Sequence, residues 1–466
     1  MLYSRYTHKF DLGDAVALYN SLRMKPVYLT KSKYEAVDAF INKNTNSIPQ
    51  ELKTEVDELI KQKILVENSA TDEKIINFVR SGNPTSHVSV CYFILTEQCN
   101  LACKYCFLGN NDSVRRCNFK KGAMSISTAE KSLQFFLKEL KKHPDQEKLE
   151  PAIIFYGGEP LINFEALEYV ASRINELKKT EKCLEKTHMN VVTNGTLLTK
   201  ERLLKMKELG VGIGISIDGC NEKANEMRVD TSGKPIFSKI ITALDTAKEN
   251  DVDISFSVTL TEESLKSKDG ILDLIKKYNI KGFGFNILMN SDGLGLSPDY
   301  YEKASKFIID CFVELRKFGI YEDRVMRKVK AFQKAQVYYS DCAAQSGGQI
   351  VFVPDGSIGV CHGCLAERKY FISDVEDKDF DASSNETLKE WASLSPVNKA
   401  ECQDCEALGI CGGGCPIDAI NGNGEKDIHG IDRRFCVHAK MTLEFLIRDL
   451  YRIIKENTTI KEECNE

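Results

Sequence analysis

Val88-Ser-Val-Cys-Tyr-Phe-Ile-Leu-Thr-Glu-Gln-Cys99-Asn-Leu-Ala-Cys103-Lys-Tyr-Cys106 decides how the rest of the chain is read. Its first half, Val88–Leu95, is apolar and β-branched, the composition of a buried strand. Cys99, Cys103 and Cys106 follow within eight residues at a Cys-x3-Cys-x2-Cys spacing. Three thiolates this close can hold three irons of a [4Fe–4S] cube and leave the fourth iron open. A zinc site asks for four ligands, usually as two Cys-x2-Cys pairs, and the triplet supplies only three.

Composition narrows the class. The 466 residues suggest roughly two to four domains. Hydrophobic content of 42% and charged content of 28% are those of a soluble globular protein. A net charge of −5 makes no case for nucleic acid or an anionic membrane as partner. No apolar run approaches the ~20 residues of a membrane span, and Met1-Leu-Tyr-Ser-Arg-Tyr lacks a signal-peptide core, so the expected location is cytoplasmic. The chain has 17 cysteines, an odd number, gathered in the triplet and again between Cys342 and Cys436. In a reducing compartment such clustering points to metal ligation rather than disulfides. Cys117 lies in a polar loop after the triplet, and Cys464 has no pattern around it.

Residues 1–85 contain no cysteine. Met24–Thr30 reads as a strand, Lys31–Lys43 and Pro49–Lys61 as helices, and Lys63–Val66 as another strand. That order fits a small α+β module of winged-helix type. From His87 strands and helices alternate, with apolar runs at Val88–Leu95, Ala152–Tyr156, Met189–Thr193, Val211–Ile217, Val252–Leu260 and Gly282–Leu288. Helices are expected at Asn163–Leu177, Thr199–Leu209, Phe237–Lys248 and Glu262–Tyr278. A further one starts at Ser127, whose capping box would be closed by Glu130. Six β/α units imply a parallel sheet, curled into a partial barrel or doubly wound, with ligands at the carboxyl ends of the strands. Residues 298–340 read as a helical linker and Met441–Ile454 as a closing amphipathic helix.

Strand ends carry the next signals. Tyr156-Gly157-Gly158-Glu159-Pro160 ends the second strand, Thr193-Asn194-Gly195 the third, and Ser216-Ile217-Asp218-Gly219 the fourth. Singly each is a plausible turn. Together, beside a three-cysteine site, they form a ligand-binding rim.

On these residues the sequence resembles the radical S-adenosylmethionine (SAM) superfamily. Cys99-x3-Cys103-x2-Cys106, with the aromatic Tyr105, matches its cluster motif, and Gly157-Gly158-Glu159-Pro160 matches its SAM-amine motif. The resemblance implies a cluster whose open iron takes the amino and carboxylate groups of SAM, with cleavage to a 5′-deoxyadenosyl radical. It also implies that Ser216 and Arg228 contact the SAM ribose and carboxylate. Asn194 and Asp218 stand at strand ends nearby, and adenine would lie near Tyr105 and Leu288. The fold implied is α/β, a partial (β/α)6 radical SAM barrel behind a winged-helix-like module.

The later cysteines resemble a SPASM domain, a loop-rich segment that holds two auxiliary [4Fe–4S] clusters. Its arrangement assigns Cys402, Cys405, Cys411 and Cys436 to one cluster, and Cys342, Cys361 and Cys415 to the other. Either Cys364 completes the second set or its iron is open to substrate. A zinc ribbon is the bland alternative for Cys402–Cys415. The expected domains are 1–85, 86–297, 298–340, 341–450 and a 451–466 tail, with three [4Fe–4S] clusters and SAM as cofactors.

Proteins of this build mostly modify peptides. The resemblance implies a maturase of ribosomally made precursor peptides that captures a leader on its N-terminal module and forms a thioether or C–C crosslink. Reduced flavodoxin or ferredoxin would be its electron donor. Sulfatase maturases, in the same group, carry an Asp base directly after the equivalent of Cys361; here the residue is His362, an imidazole able to accept a proton near neutral pH. The alternatives are a sulfatase-maturase-like protein oxidase and, from another class, a non-catalytic multicluster electron carrier.

Overall fold

The computed structural model describes every residue except 44–47, 84–86, 107, 109–121, 290–293, 424–426 and 464–466, with backbone alone at 421–423 and 458–463. Cys117 and Cys464 therefore lie outside the described residues. The chain forms two compact units that do not follow chain order. The first gathers Met1–Pro84, Val325–Cys342 and Leu394–Glu466, and the second Thr85–Arg324 with Ala343–Ser393. This differs from the division read from sequence, because apolar faces far apart in the chain share cores.

In the first unit a short antiparallel pair, β1 (Leu2–Tyr3) and β5 (Leu65–Val66), accompanies a three-stranded antiparallel sheet. That sheet is ordered β2 (Thr7–Asp11), β3 (Ala15–Asn20), β4 (Val27–Thr30). β3 is buried at all six positions. Val16 and Leu18 join Leu29 against Val37, Phe40, Val56 and Leu59 of the helices Lys31–Asn42 and Lys53–Lys61. On the other face Ala17 and Tyr19 pack with Ala439, Leu443 and Ile447 of the helix Arg433–Glu463. A strand covered on both sides reads as a continuous apolar run without alternation. That is why β3 escapes periodicity analysis; the expected strand Met24–Thr30 shortens to β4, after a turn with Met24 at φ 55°. The closing helix likewise starts earlier than expected, at Arg433, and so includes Cys436.

The second unit is a ten-stranded sheet. Six parallel strands run side by side in chain order: β6 (Val90–Thr96), β7 (Ala152–Gly157), β8 (His188–Thr193), β9 (Val211–Ile217), β10 (Ile254–Leu260) and β11 (Gly282–Ile287). β12 (Tyr321–Glu322) extends the β11 edge in parallel. β13 (Gln349–Phe352) pairs in parallel with β6, followed by antiparallel β14 (Ser357–Gly359) and β15 (Phe371–Asp374). A doubly wound sheet needs a point where strand order reverses. β6 to β11 have none, so the arrangement is that of a partial barrel.

Alternation along these strands separates two faces. Ile213, Ile215 and Ile217 of β9 and Phe256, Val258 and Leu260 of β10 are buried. Their opposite face is small and polar: Gly214 pairs with Ser255, and Ser216 with Ser257. Two helix starts correct the sequence reading. Ser125, not Ser127, caps the helix Ile126–Lys141, accepting from the Thr128 amide at 3.0 Å, while Glu130 bonds Gln134 and Tyr169. The helix expected from Glu262 begins at Lys268, because a 3-10 turn at Ser264–Lys266 intervenes and is anchored through Thr261 and Ser264. Among the described residues no helix is long and apolar enough to cross a membrane.

Candidate active site and cluster ligands

The cysteine triplet sits on the loop that leaves β6, and three strand ends hold that loop. Gly158 N–H donates to the Thr96 carbonyl at 2.9 Å and Glu159 N–H to that of Gln98 at 2.8 Å. The approach is so close that a Cβ on Gly158 would lie 2.2 Å from the Gln98 oxygen. Gly157, at φ +142°, is equally tight against Thr96. Farther along, Ala102 and Lys104 N–H donate to the carbonyls of Val229 (2.8 Å) and Met227 (2.9 Å). The loop is therefore stitched to the segment that carries Arg228.

Glu159 is 1% exposed and its carboxylate is fully engaged. It accepts from Thr193 Oγ1 at 2.7 Å, the Asn194 amide at 2.8 Å and the Leu161 amide at 3.1 Å. Burial pushes this carboxyl up, and the hydrogen bonds oppose the rise. Glu159 thus clamps the ends of β7 and β8 with its side chain and leaves the backbone of Gly157 and Gly158 to line the rim. Asn194 extends the clamp: its Nδ2 donates to Asn100 Oδ1, inside the cysteine loop, at 2.9 Å.

Asp218 is completely buried just beyond β9. Arg228 Nε donates to its Oδ1 at 2.7 Å and Tyr105 Oη at 2.5 Å, while the guanidinium lies 5.5 Å from the Tyr105 ring centroid. Burial pushes Asp218 up, against the pull of Arg228 and the Tyr105 hydrogen bond. Its second oxygen, Oδ2, is buried with no hydrogen-bond partner among the described residues. A buried acceptor without a donor is unfavourable unless a ligand supplies one. Ser216, two residues earlier, sits on the partly exposed face of β9. Leu288 is buried, its amide donating to Tyr300 Oη at 3.0 Å.

Two features fit a cluster with SAM: a loop offering three thiols, drawn onto the end of β7 by glycines that leave no room for a side chain, and an unpaired buried acceptor. Among the described residues no group of three or more His, Cys, Asp or Glu closes around a single metal ion; a cube seats each thiolate on a different iron. Burial, reinforced by the neighbouring thiols, pushes Cys99 up to about 12 and Cys103 up to about 11; Cys106 is raised too. Ligation requires thiolate, so the raised thiols make iron compete with protons. Anaerobic iron and sulfide uptake is accordingly expected to quicken from about pH 7 to about pH 9, checked by the growth of iron–sulfur absorbance; a pH-independent rate contradicts it.

Cys402, Cys405, Cys411 and Cys436 all fall in the first unit and lie within electrostatic range of one another. Burial first, then the other thiols, raises Cys402 and Cys436 to about 12 and Cys405 to about 11. Cys411 and Cys415 bracket three consecutive left-handed glycines, Gly412, Gly413 and Gly414, at φ 77°, 88° and 73°. A Cβ on Gly412 would meet the Tyr338 ring at 2.7 Å. Cys342 and Cys415 belong to the first unit, and Cys361 and Cys364 to the second. The last two share one 3-10 turn, in which Cys361 Sγ accepts from the Gly363 amide at 3.3 Å.

His362 on that turn stacks on Tyr92 of β6, with ring centroids 4.5 Å apart and planes at 17°. Tyr156 of β7 stands 5.0 Å away, and both tyrosines, like Cys106, pack against the apolar cluster that includes Ile94 and Val351. Sequence reading missed Tyr92, Asn100 and the Glu97–Arg368 ion pair (2.9 Å). Asn100 occupies an unspecified position of the cysteine motif. The others become visible only once β6 is laid beside residues more than 200 positions later.

Comparison with known proteins agrees with this geometry. Residues 93–275 match the model of the radical SAM superfamily. The radical SAM cyclopropyl synthase TigE of Paramaledivibacter caminithermalis is 26% identical, over 81% of this chain and 77% of that protein. A cysteine-type anaerobic sulfatase-maturating enzyme of Clostridium novyi is 23% identical, over 69% of this chain and 85% of its own. The antilisterial bacteriocin subtilosin biosynthesis protein AlbA of Bacillus subtilis is 23% identical, over 71% of this chain and 68% of its own. A crystal structure of native anSMEcpe with bound AdoMet shares the fold, with a TM-score of 0.63 at 21% identity, over 79% of this chain and 98% of that one.

Proposed function

For a chain that is a radical SAM enzyme by its domain at residues 93–275, we propose the role of a peptide maturase acting on a ribosomally made precursor. The observation that carries this reading is the pinning of the Cys99–Cys106 loop between the Gly157–Glu159 strand end and the Asp218–Arg228–Tyr105 network. When bound, the cluster and SAM supply one-electron cleavage of SAM and with it a hydrogen-abstracting radical.

The chain's own residues do the rest. Cys99, Cys103 and Cys106 hold the cluster, with Gly157, Gly158 and Pro160 along the SAM amine, and Ser216 with Arg228 at its ribose and carboxylate. Glu159 and Asn194 fix the rim through the hydrogen bonds already described. Asp218 Oδ2 is available to a ligand donor, and Tyr105 and Leu288 flank the adenine. Cys402, Cys405, Cys411 and Cys436 are assigned to one further [4Fe–4S] cluster. Reduced flavodoxin or ferredoxin is the proposed electron donor.

A precursor peptide as substrate is supported by AlbA, named for bacteriocin biosynthesis. The three-stranded sheet of the first unit has two edges, β2 and β4, where a leader can add as a strand. The product is a thioether or C–C bond; TigE, named for cyclopropyl synthesis, favours the latter. Forming either removes two hydrogens, one as an atom and one as a proton with an electron, and an oxidised [4Fe–4S] cluster of this chain would take that electron. His362, flat against Tyr92, is the proposed proton acceptor. Protein oxidation of the sulfatase-maturase kind is the second reading, favoured by the Clostridium novyi relative.

The test is anaerobic co-expression with small peptides encoded beside the gene. The expected result is 5′-deoxyadenosine release and a peptide lighter by two hydrogens, both lost in Cys99→Ala. Release of 5′-deoxyadenosine with every such peptide unchanged in mass rejects the peptide-maturase reading.

A further inference from the structure

Lys328 is a charged residue buried where, among the described residues, no carboxylate pairs with it. It lies on the helix Asp323–Lys334 and is 1% exposed. Its ammonium donates to the Cys411 carbonyl at 3.2 Å and stands 5.9 Å from the Tyr338 ring centroid and 6.0 Å from that of Phe435. Both aromatic distances are at the outer limit of a useful cation–π contact. No Asp or Glu among the described residues pairs with it, although other cations nearby are matched. Lys440 pairs with Glu406 at 3.2 Å, and Arg434 with Asp432 at 2.8 Å. Lys399, half-buried, reaches the Gly430 carbonyl. Asp341 and Asp432 act on Cys411 through space, but neither forms an ion pair with Lys328.

An ammonium taken out of water without an anion is strongly unfavourable. Here it is also held in place. Arg327, the preceding residue, donates to the Asp341 carbonyl at 2.6 Å. The Tyr338 and Asp341 amides in turn donate to Gly409 (2.8 Å) and Gly412 (2.9 Å). The helix is thereby bolted to the turn that presents Cys411. The missing anion is the chemistry of the donor set itself: four thiolates on an iron–sulfur cube carry net negative charge, and reduction adds another. Net charge is among the determinants of such a cluster's potential.

We propose that Lys328 is the fixed counter-charge of the iron–sulfur cluster held by Cys402, Cys405, Cys411 and Cys436, and that it raises that cluster's reduction potential. The inference rests on assigning a cluster to those four cysteines. Lys328 is a positioning charge and not a ligand.

The experiment is an EPR-monitored redox titration of the reconstituted full chain, in a Cys99→Ala/Cys103→Ala/Cys106→Ala background that removes the SAM-cluster signal. Loss of iron and of one signal in Cys436→Ala assigns the cluster; if neither changes, the cluster assignment fails and the proposal with it. Given that assignment, Lys328→Met is expected to move the midpoint to lower potential with the line shape retained, and Lys328→Arg to stay near the wild-type value. An unchanged midpoint in Lys328→Met with iron retained overturns the proposal. Melting of cluster-free protein gives a second reading that needs no cluster. Lys328→Met should melt higher than the wild type there, since an unmatched charge is gone; a lower melting temperature overturns the proposal.

Discussion

Arg228→Met should cost the folded protein about 3–5 kcal/mol, the usual penalty for leaving one member of a buried ion pair behind. Asp218 is fully buried and has, on the same oxygen, only Tyr105 as its other side-chain donor among the described residues. Without the guanidinium, the carboxylate must protonate or drag water into the site. Lysine does not repair this, because it replaces a planar donor aimed at Oδ1 with a flexible, strongly hydrated one. Thermal unfolding of the iron-loaded protein measures the loss. The double variant Arg228→Met/Asp218→Asn should recover part of it, since both halves of the pair are then gone. Full stability in Arg228→Met alone would show that the pair contributes nothing. The same variant frees the segment 227–229 that anchors Ala102 and Lys104, so SAM cleavage should fall along with stability.

Gly158→Ala should damage catalysis more than stability. Its Cβ would lie 2.2 Å from the Gln98 oxygen, 2.5 Å from the Gln98 carbonyl carbon and 3.0 Å from the Cys99 nitrogen. All three are backbone atoms, so the cysteine loop itself must move. A displacement near an ångström in a reacting constellation costs about 10²-fold in rate. The expected outcome is a drop of at least that order in 5′-deoxyadenosine formation, with the SAM-cluster EPR signal altered or lost. Gly282→Ala is the control, since nothing lies within 4 Å of its Cβ position and its φ is ordinary. Equal rates in the two variants would mean the close approach does not matter.

Much of this site was legible in the sequence because barrel strands advertise themselves. Val211–Ile217 is predicted and observed with the same bounds, and the second, third and fourth strands end where the sequence sets Gly157, Asn194 and Asp218. Spacing alone also singles out Cys99, Cys103 and Cys106. What sequence hides is tertiary. Lys328 reads as one more cation in Arg324-Val-Met-Arg-Lys-Val-Lys, a solvated helix face, until a turn 83 residues later closes over it. Glu159 reads as a ligand for SAM, yet its carboxylate is spent on Thr193, Asn194 and Leu161. The compact units are hidden for the same reason: nothing local says that residues 1–84 share a core with residues 394–466.

That shared core has a consequence for how the protein is made. β3 is completed on one side by helices within its first 61 residues, but Ala17 and Tyr19 on the other side wait for Ala439, Leu443 and Ile447. Roughly 400 residues separate strand and helix, so at about 5–20 residues per second the ribosome needs about 20–80 s to deliver the cover. Throughout that interval an apolar strand face stands open on the nascent chain, and a truncated message leaves it open for good. A strand that leaves the ribosome roughly 400 residues before its cover is thus among the last parts to be finished, and messages cut short anywhere before Arg433 should yield aggregates or chaperone clients.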